Sequence, residues 1–465
     1  MQLALHFLRP LALLFAMHAG ADAGVLKDHP GHWMGELKIP KGPTFKSGLE
    51  IFTRADGSTW ASFASPDQGG YDIPVASIVE NGNTAKLDLV FAQMTLTWVN
   101  DHFVGEWKQG GETFPVEKLT RVAQFPNKVR PQTPVAPFPY AEQTLAIPST
   151  QGVMLGATLL LPKGKAKPTL AILVHGSGPQ TRDEHNAGHR PFAVLADHLA
   201  RQGVAVVRFD KRGVSRSTGD FANHTQAQLA EDVYAVIEAM RARKQFRRIG
   251  LIGHSEGPMI AATVAAKYPQ AVDFLVSLAG VGLPGKELIV LQDRLLAKDL
   301  GASQAEEDKL AAYVGKFYDI IIAQTDPELR VAALKAMRSA LPADEQALIT
   351  KYKMTSGSLS LSQARQPALR SLLMANPHAD WRAVKVPVLA LNGSVDHQVP
   401  VESLAGIVAS LKAGGNQRVE SAILPSVNHA LQTATTGAET EYETIAETVA
   451  PIVLQHVTAF VKKQR

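Results

Sequence analysis

The chain has 465 residues, 45 % hydrophobic and 19 % charged, with a formal net charge of +4 and no cysteine. That length calls for two or three domains of globular composition, and the absent thiols exclude disulfides, cysteine nucleophiles, zinc-thiolate sites and a lipidated N-terminal cysteine. No run of Lys or Arg is long enough for a nucleic-acid surface, so the pI near 9.0 describes a mildly basic exterior.

The N-terminus reads "MQLALHFLRPLALLFAMHAGADAGV". Arg9, an apolar stretch from Leu11 to Met17, and Ala21-Asp22-Ala23 before Gly24 form the layout of a signal peptide over residues 1–23. The reading predicts export to the periplasm or the medium. The apolar stretch is far short of the ~20 residues that span a bilayer, and no later segment reaches that length, so no stable membrane insertion is expected.

Residues 24–124 alternate with period two in "GELKI", "GLEIFTR", "TAKLDLVF", "MTLTWV" and "HFVGEW". Turn pairs such as Asp56-Gly57 and Asn81-Gly82 separate them. About eight short strands in succession predict an up-and-down antiparallel barrel or sandwich. No cluster of catalytic residue types stands out in it. Residues 125–139, "FPNKVRPQTPVAPFP", carry five prolines, which predicts an extended, semi-rigid linker.

From residue 140 the pattern changes. A strand pair, "QTLAIPS" and "VMLGATLLLP", precedes nearly continuous apolar runs: "TLAILVHG", "VAVVRFD", "RIGLIG", "DFLVSLAG" and "VPVLALNG". Helical patterns separate most of them, as in a buried, mostly parallel sheet. Residues 283–383 interrupt the alternation with helices, which is most simply a lid over the C-terminal edge of the sheet. "RVESAIL" adds a last strand and "ETIAETVAPIVLQHVTAFVKK" a closing amphipathic helix.

One stretch carries chemistry. "RIGLI" leads into Gly253-His254-Ser255-Glu256-Gly257, and an Ala-rich helical run follows. Gly-x-Ser-x-Gly alone is only moderately specific, but strand, sharp turn and helix in that order define a nucleophile elbow. Glycines at 253 and 257 remove Cβ atoms that would strike the strand and helix, and Pro258 suits a first helical turn. Ser255 then stands at a helix N-terminus, where the Glu256 N–H can hold an oxyanion. A serine needs a base, and an imidazole needs a carboxylate to fix its tautomer. In this topology the acid follows a later strand and the histidine the last one. That order selects Asp396, after "VPVLALNG", and His429, in "SVNHAL". His397 adjoins the acid and His378 belongs to the lid or its hinge, so both are weaker bases. In His175-Gly176-Ser177-Gly178-Pro179 the Ser177 N–H is the expected second oxyanion donor, with Gly176 its neighbour and His175 a packed residue. "RFDKRGVSRSTG" reads as a buried ion pair and turn bracing the loop behind the site, in preference to a phosphate site.

The motifs "HGSGPQ", "RFDKRG", "GHSEG", "NGSVDHQVP" and "VNHAL" make residues ~140–465 resemble the α/β-hydrolase superfamily. The run from His175 to Phe221 further resembles bacterial serine esterases with an N-terminal β domain, a group similar to dienelactone-hydrolase-like and serine-aminopeptidase-like proteins. The resemblance implies an α/β-hydrolase fold with a helical lid, and Ser255, Asp396 and His429 as nucleophile, acid and base. Pro258 departs from the group, which often has a second glycine there. The expected reaction is hydrolysis of a small-molecule carboxylic ester through an acyl-enzyme, with no metal and no organic cofactor. Two rivals differ in class. A peptidase with the same triad would need a carboxylate for the substrate amine, from Asp183, Glu184 or Glu256. A binding protein with vestigial catalysis would use the β domain. These patterns do not specify oligomeric state.

Overall fold

The computed structural model describes residues 24–464 apart from 40–41, 90–91, 110, 128–129, 165, 353 and 355–358. The signal segment read at residues 1–23 lies outside the described residues.

Eight antiparallel strands form a closed barrel: β1 (Gly31–Lys38), β2 (Thr44–Thr53), β3 (Thr59–Ser65), β4 (Gly70–Asn81), β5 (Thr84–Leu89), β6 (Gln93–Val99), β7 (His102–Gln109) and β8 (Glu112–Val122). Each strand pairs with the next, and β1 closes on β8. Period-two patterning turns one residue in two inward. Ala85, Leu87 and Leu89 of β5 do so beside Leu49, Phe63, Leu96, Phe103, Trp107 and Leu119. A short helix, α1 (Val25–Asp28), adds Val25 and Leu26 to that core. The interior is therefore filled by side chains, which decides between a packed barrel and a ligand-holding one.

The linker is docked at Arg130 and Gln132. Buried Arg130 donates to the carbonyls of Ala187, Glu443 and Ile445 at 2.8–2.9 Å. Gln132 bridges the backbone of Thr448 and Val449. Proline stiffness thus accounts for only part of its order; the rest comes from these bonds to the hydrolase unit.

The second unit is an eight-stranded sheet. Its strands are β9 (Tyr140–Pro148), β10 (Met154–Pro162), β11 (Leu170–Val174), β12 (Ala205–Phe209), β13 (Ile249–His254), β14 (Phe274–Leu278), β15 (Val388–Gly393) and β16 (Val419–Leu424). Their order is β16-β15-β14-β13-β11-β12-β10-β9, with the six from β16 to β12 parallel and β10 and β9 antiparallel. Residues of β11 to β15 are buried on both faces, which is why these strands lack alternation. On one face pack α3 (Gln226–Ala242), α4 (Gly257–Lys267) and α12 (Val401–Ala413), and on the other α2 (Pro191–Arg201) and α13 (Pro451–Lys463). This is the α/β-hydrolase fold.

The described residues of the insertion after β14 form seven α-helices: α5 (Gly285–Asp299), α6 (Gln304–Ala323), α7 (Pro327–Ser339), α8 (Ala343–Lys351), α9 (Leu361–Ala364), α10 (Pro367–Met374) and α11 (His378–Ala383). It has its own core of Leu310, Val314, Phe317, Tyr318, Leu334 and Tyr352. It seats on the sheet through Leu288 against Met259, Val281 and Val399.

Candidate active site

β13 runs into Ser255 and α4 with no intervening loop. Ser255 has φ +58°, the left-handed region that L side chains avoid unless surroundings impose it. The two flanking glycines are required by space. A Cβ on Gly253 would lie 2.4 Å from the Pro258 nitrogen, and one on Gly257 2.0 Å from the Val174 oxygen. The Ser255 N–H is held by the Leu278 carbonyl (3.0 Å), so β14 fixes the strained turn.

Asp396 and His429 arrive from the loops after β15 and β16. His429 Nε2 lies 3.1 Å from Ser255 Oγ, and His429 Nδ1 lies 3.0 Å from Asp396 Oδ2. Asp396 Oδ1 accepts the Gln398 and Val399 N–H groups at 2.9 and 2.8 Å, which fixes the carboxylate and leaves Oδ2 for the imidazole. With Nδ1 protonated, Nε2 is an acceptor for the serine hydroxyl. The three sequence-selected side chains are brought together as one hydrogen-bonded chain. The other histidines are occupied elsewhere: His397 Nδ1 faces Asp299 at 2.8 Å and His378 Nδ1 faces Ser410 at 3.0 Å. His175 is buried against Phe209.

Neither the Ser177 nor the Glu256 N–H has an acceptor among the described residues. Gly176 is different, because its N–H donates to Glu184 Oε1 at 2.5 Å. Of the two candidates in that loop, Ser177 is the one with a donor free. Gly176 instead lets the loop approach the nucleophile, since a Cβ there would stand 3.0 Å from Ser255 Cβ.

Two buried pairs behind the serine were not readable as such. Lys211 Nζ donates to the Gly176 carbonyl (2.7 Å) and to Glu256 Oε2 (3.1 Å), while Gln226 Nε2 donates to Glu256 Oε1 (2.6 Å). Burial alone would raise the Glu256 carboxyl; the Lys211 ammonium and the Gln226 amide override it and hold it below the ordinary range. The Glu256 side chain therefore points into the protein, away from the cleft. His254, the residue before the serine, donates through Nδ1 to Glu184 Oε2 and through Nε2 to the His429 carbonyl, both 2.9 Å. Burial would lower the His254 imidazole, but the Glu184 carboxylate outweighs burial and raises it. Glu184 thus ties the Gly176 loop, the end of β13 and the His429 loop together. The only sequence signal for this was that His254 and Glu184 lie within motif segments.

Around "RFDKRG", Asp210 accepts from Arg182 Nε (3.0 Å) and Nη2 (2.6 Å), and Arg212 pairs with Asp232 through two bonds. The segment braces the fold through ion pairs.

The cleft above Ser255 has a volume of about 100 Å³. Its walls include Ser177, Gln180, Asn186, Gln398, Ala430 and Tyr442. Among the described residues, none of the helical insertion lines it; the walls come from the loops after β11, β15 and β16. The insertion reaches the site by its edges, through the Asp299 contact to His397 and the Ser371 hydroxyl that accepts the Gln226 N–H. Among the described residues, no group of side chains has metal-ligand geometry, and no helix is long and apolar enough to cross a membrane.

A family profile described as serine aminopeptidase, S33, matches residues 173–433. The esterase EstD of Thermotoga maritima is 30 % identical over 155 residues, which are 33 % of this chain and 37 % of that one. Protein phosphatase methylesterase 1 of Candida albicans is 34 % identical over 92 residues, 19 % of this chain and 25 % of its own. The matches thus span 25 to 37 % of these relatives. Est1E of Butyrivibrio proteoclasticus, solved with ferulic acid bound, is similar with a TM-score of 0.42 and 18 % identity, over 69 % of this chain and 98 % of that one.

Proposed function

Because the chain belongs to the serine aminopeptidase (S33) family of α/β-hydrolases, we propose that it hydrolyses small-molecule carboxylic esters through an acyl-enzyme. The observation that carries the reading is the continuous chain from Ser255 Oγ through His429 to Asp396, at 3.1 and 3.0 Å. Ser255 attacks the carbonyl carbon as His429 Nε2 takes the hydroxyl proton. Asp396 supports the imidazolium, and the Glu256 and Ser177 N–H groups bond the oxyanion. The imidazolium returns its proton to the leaving alcohol, and water repeats the sequence to release the acid.

Ester cleavage is favoured over aminopeptidase action by the state of the three candidate carboxylates. Asp183 pairs with Arg208, Glu184 with His254, and Glu256 with Lys211. None is available to pair with a substrate ammonium. The relatives named esterase support the same choice. A fluorophosphonate is expected to label Ser255, and short-chain p-nitrophenyl esters to turn over faster than aminoacyl p-nitroanilides. Anilide turnover with negligible ester turnover would overturn the ester assignment; absence of labelling would overturn the hydrolase itself.

The same proposal places the protein outside the cytoplasm, on the strength of the N-terminal layout. Sequencing the mature N-terminus is expected to begin at Gly24; an intact Met1 in exported material would contradict it.

A further inference from the structure

The barrel and the hydrolase unit meet around a cavity of about 630 Å³, about six times the catalytic cleft. The barrel contributes Glu50, Arg54 and Asp72; the hydrolase unit contributes His185, Arg190 and Arg216, among others. Its acids are already matched. Asp210 accepts from Arg182, Asp183 from Arg208, Glu50 from Arg216 Nη2 (2.8 Å) and Asp72 from His185 Nδ1 (3.0 Å).

Two of the lining arginines are not. Neither the Arg54 nor the Arg190 guanidinium donates to an acceptor among the described residues. Arg54 is half-buried with its charge 3.7 Å over the Trp60 ring, and its Nε is buried without a partner. Burial draws that guanidinium down to about 10, with Asp56 opposing. Arg216, held 3.9 Å over Phe52, keeps a buried Nη1 without an acceptor. The His185 side chain is only 3 % exposed, and its Nε2 also lacks a partner. Buried donors are ordinarily matched, and here two arginines that each keep an unmatched one, Arg54 and Arg216, line with Arg190 a space large enough for a small organic molecule.

We propose that this interdomain cavity binds a small organic oxyanion, a carboxylate or phosphate ester, held by Arg54, Arg190 and Arg216. The planar guanidinium fork suits both groups, each of which offers paired acceptor oxygens. Such a ligand would touch the turn after strand β2 and the loops before α2 and after β12 at once, and so would brace the barrel against the hydrolase unit.

Citrate and glucose 6-phosphate serve as probes, titrated calorimetrically into the full chain at fixed ionic strength, with glucose as the uncharged control. At least one anion is expected to bind saturably with one site per chain and glucose not to bind. Binding of citrate alone assigns a carboxylate, and of the phosphate ester alone a phosphate. The double variant Arg54→Gln/Arg190→Gln is expected to weaken binding by at least about tenfold, the scale of one lost charge-assisted bond. Arg190 is exposed, so Arg190→Gln alone tests the site, with an expected loss of about threefold or more, should the Arg54 substitution impair folding. No saturable binding of either anion, or affinity undiminished in the variants, would overturn the proposal.

Discussion

The barrel interior consists of Leu49, Phe63, Phe103, Trp107 and their neighbours, with Trp33 and Phe103 packed edge to face at 5.1 Å. The ground beneath Ser255 is made differently, from buried Lys211–Glu256, Arg212–Asp232 and His254–Glu184 pairs. Apolar burial is nondirectional and needs only matched volume. An ion pair is costly to desolvate, yet it fixes where a backbone group lies. The region that must hold Gly176 and His429 to within fractions of an ångström uses the costlier interactions. The barrel needs only to be full, and the described residues of its core are apolar.

The comparison breaks first at the nucleophile. Ser255→Ala removes one hydroxyl from a site whose scaffold is held by other groups. Ester turnover is expected to fall about 10⁶-fold with unfolding by urea unchanged. Residual turnover within about tenfold of the native rate would place the nucleophile elsewhere. Phe103→Ala is the converse experiment. Phe103 is fully buried in the barrel, and its loss should cost about 3–5 kcal/mol of stability. The turnover number of the remaining folded protein should not change. A fall in turnover at constant folded fraction would mean that the barrel core acts on the site.

Much of this contrast was legible in the sequence. Alternation in "TAKLDLVF" and continuous apolarity in "RIGLIG" separated a one-faced barrel strand from a strand buried on both faces. The elbow was legible because its glycines are demanded by backbone contacts within a few residues. Asp396 and His429 followed from topology, since each comes directly after a strand. What stayed hidden were pairings across long separations: Glu184 with His254, Lys211 with Glu256, and Arg130 with Glu443 and Ile445. A charged residue in a loop carries no local mark of the partner it will meet. The cleft walls were hidden for the same reason, because helical periodicity in residues 283–383 shows that the helices pack but not what they face.

Glu184→Gln probes the directional side of the comparison. Glu184 positions two loops but reaches the reaction only through His254 and Gly176. Removing its charge should lower the turnover number about 100-fold, the scale of a small misplacement of reacting groups, with little change in KM. Because Glu184 raises His254, the folded state holds that proton more tightly than the unfolded chain. The pair's contribution is complete below the unfolded histidine value and is lost as pH rises through the folded one. The variant should therefore lose less stability on the alkaline side than the native protein. A KM effect alone, or an unchanged alkaline limb, would refute positioning through His254.

The smallest effect concerns the acid side, where the sign reverses. Burial first, and then the nearby Arg130 charge, draw His189 down to about 4, and burial with Lys211 keeps His175 well below its ordinary value. Between about 4 and the unperturbed 6.5 the unfolded chain binds a proton at His189 that the folded one does not. Stability from this group is accordingly whole above 6.5 and falls with pH across that window, by at most about 1.4 kcal/mol per pH unit. His189→Gln keeps a polar side chain beside Thr448, the Tyr442 carbonyl and Gln432 Nε2, the three partners of the imidazole. It should flatten the acid limb of urea-unfolding stability between pH 4 and 6.5 by up to one proton's slope. Phe103→Ala, by contrast, should displace the whole curve without altering its shape, because the group removed carries no proton. An acid limb of native steepness in His189→Gln would assign the acid sensitivity to the other buried histidines, and a pH-dependent cost for Phe103→Ala would show that the barrel core is coupled to the charged ground beneath the serine.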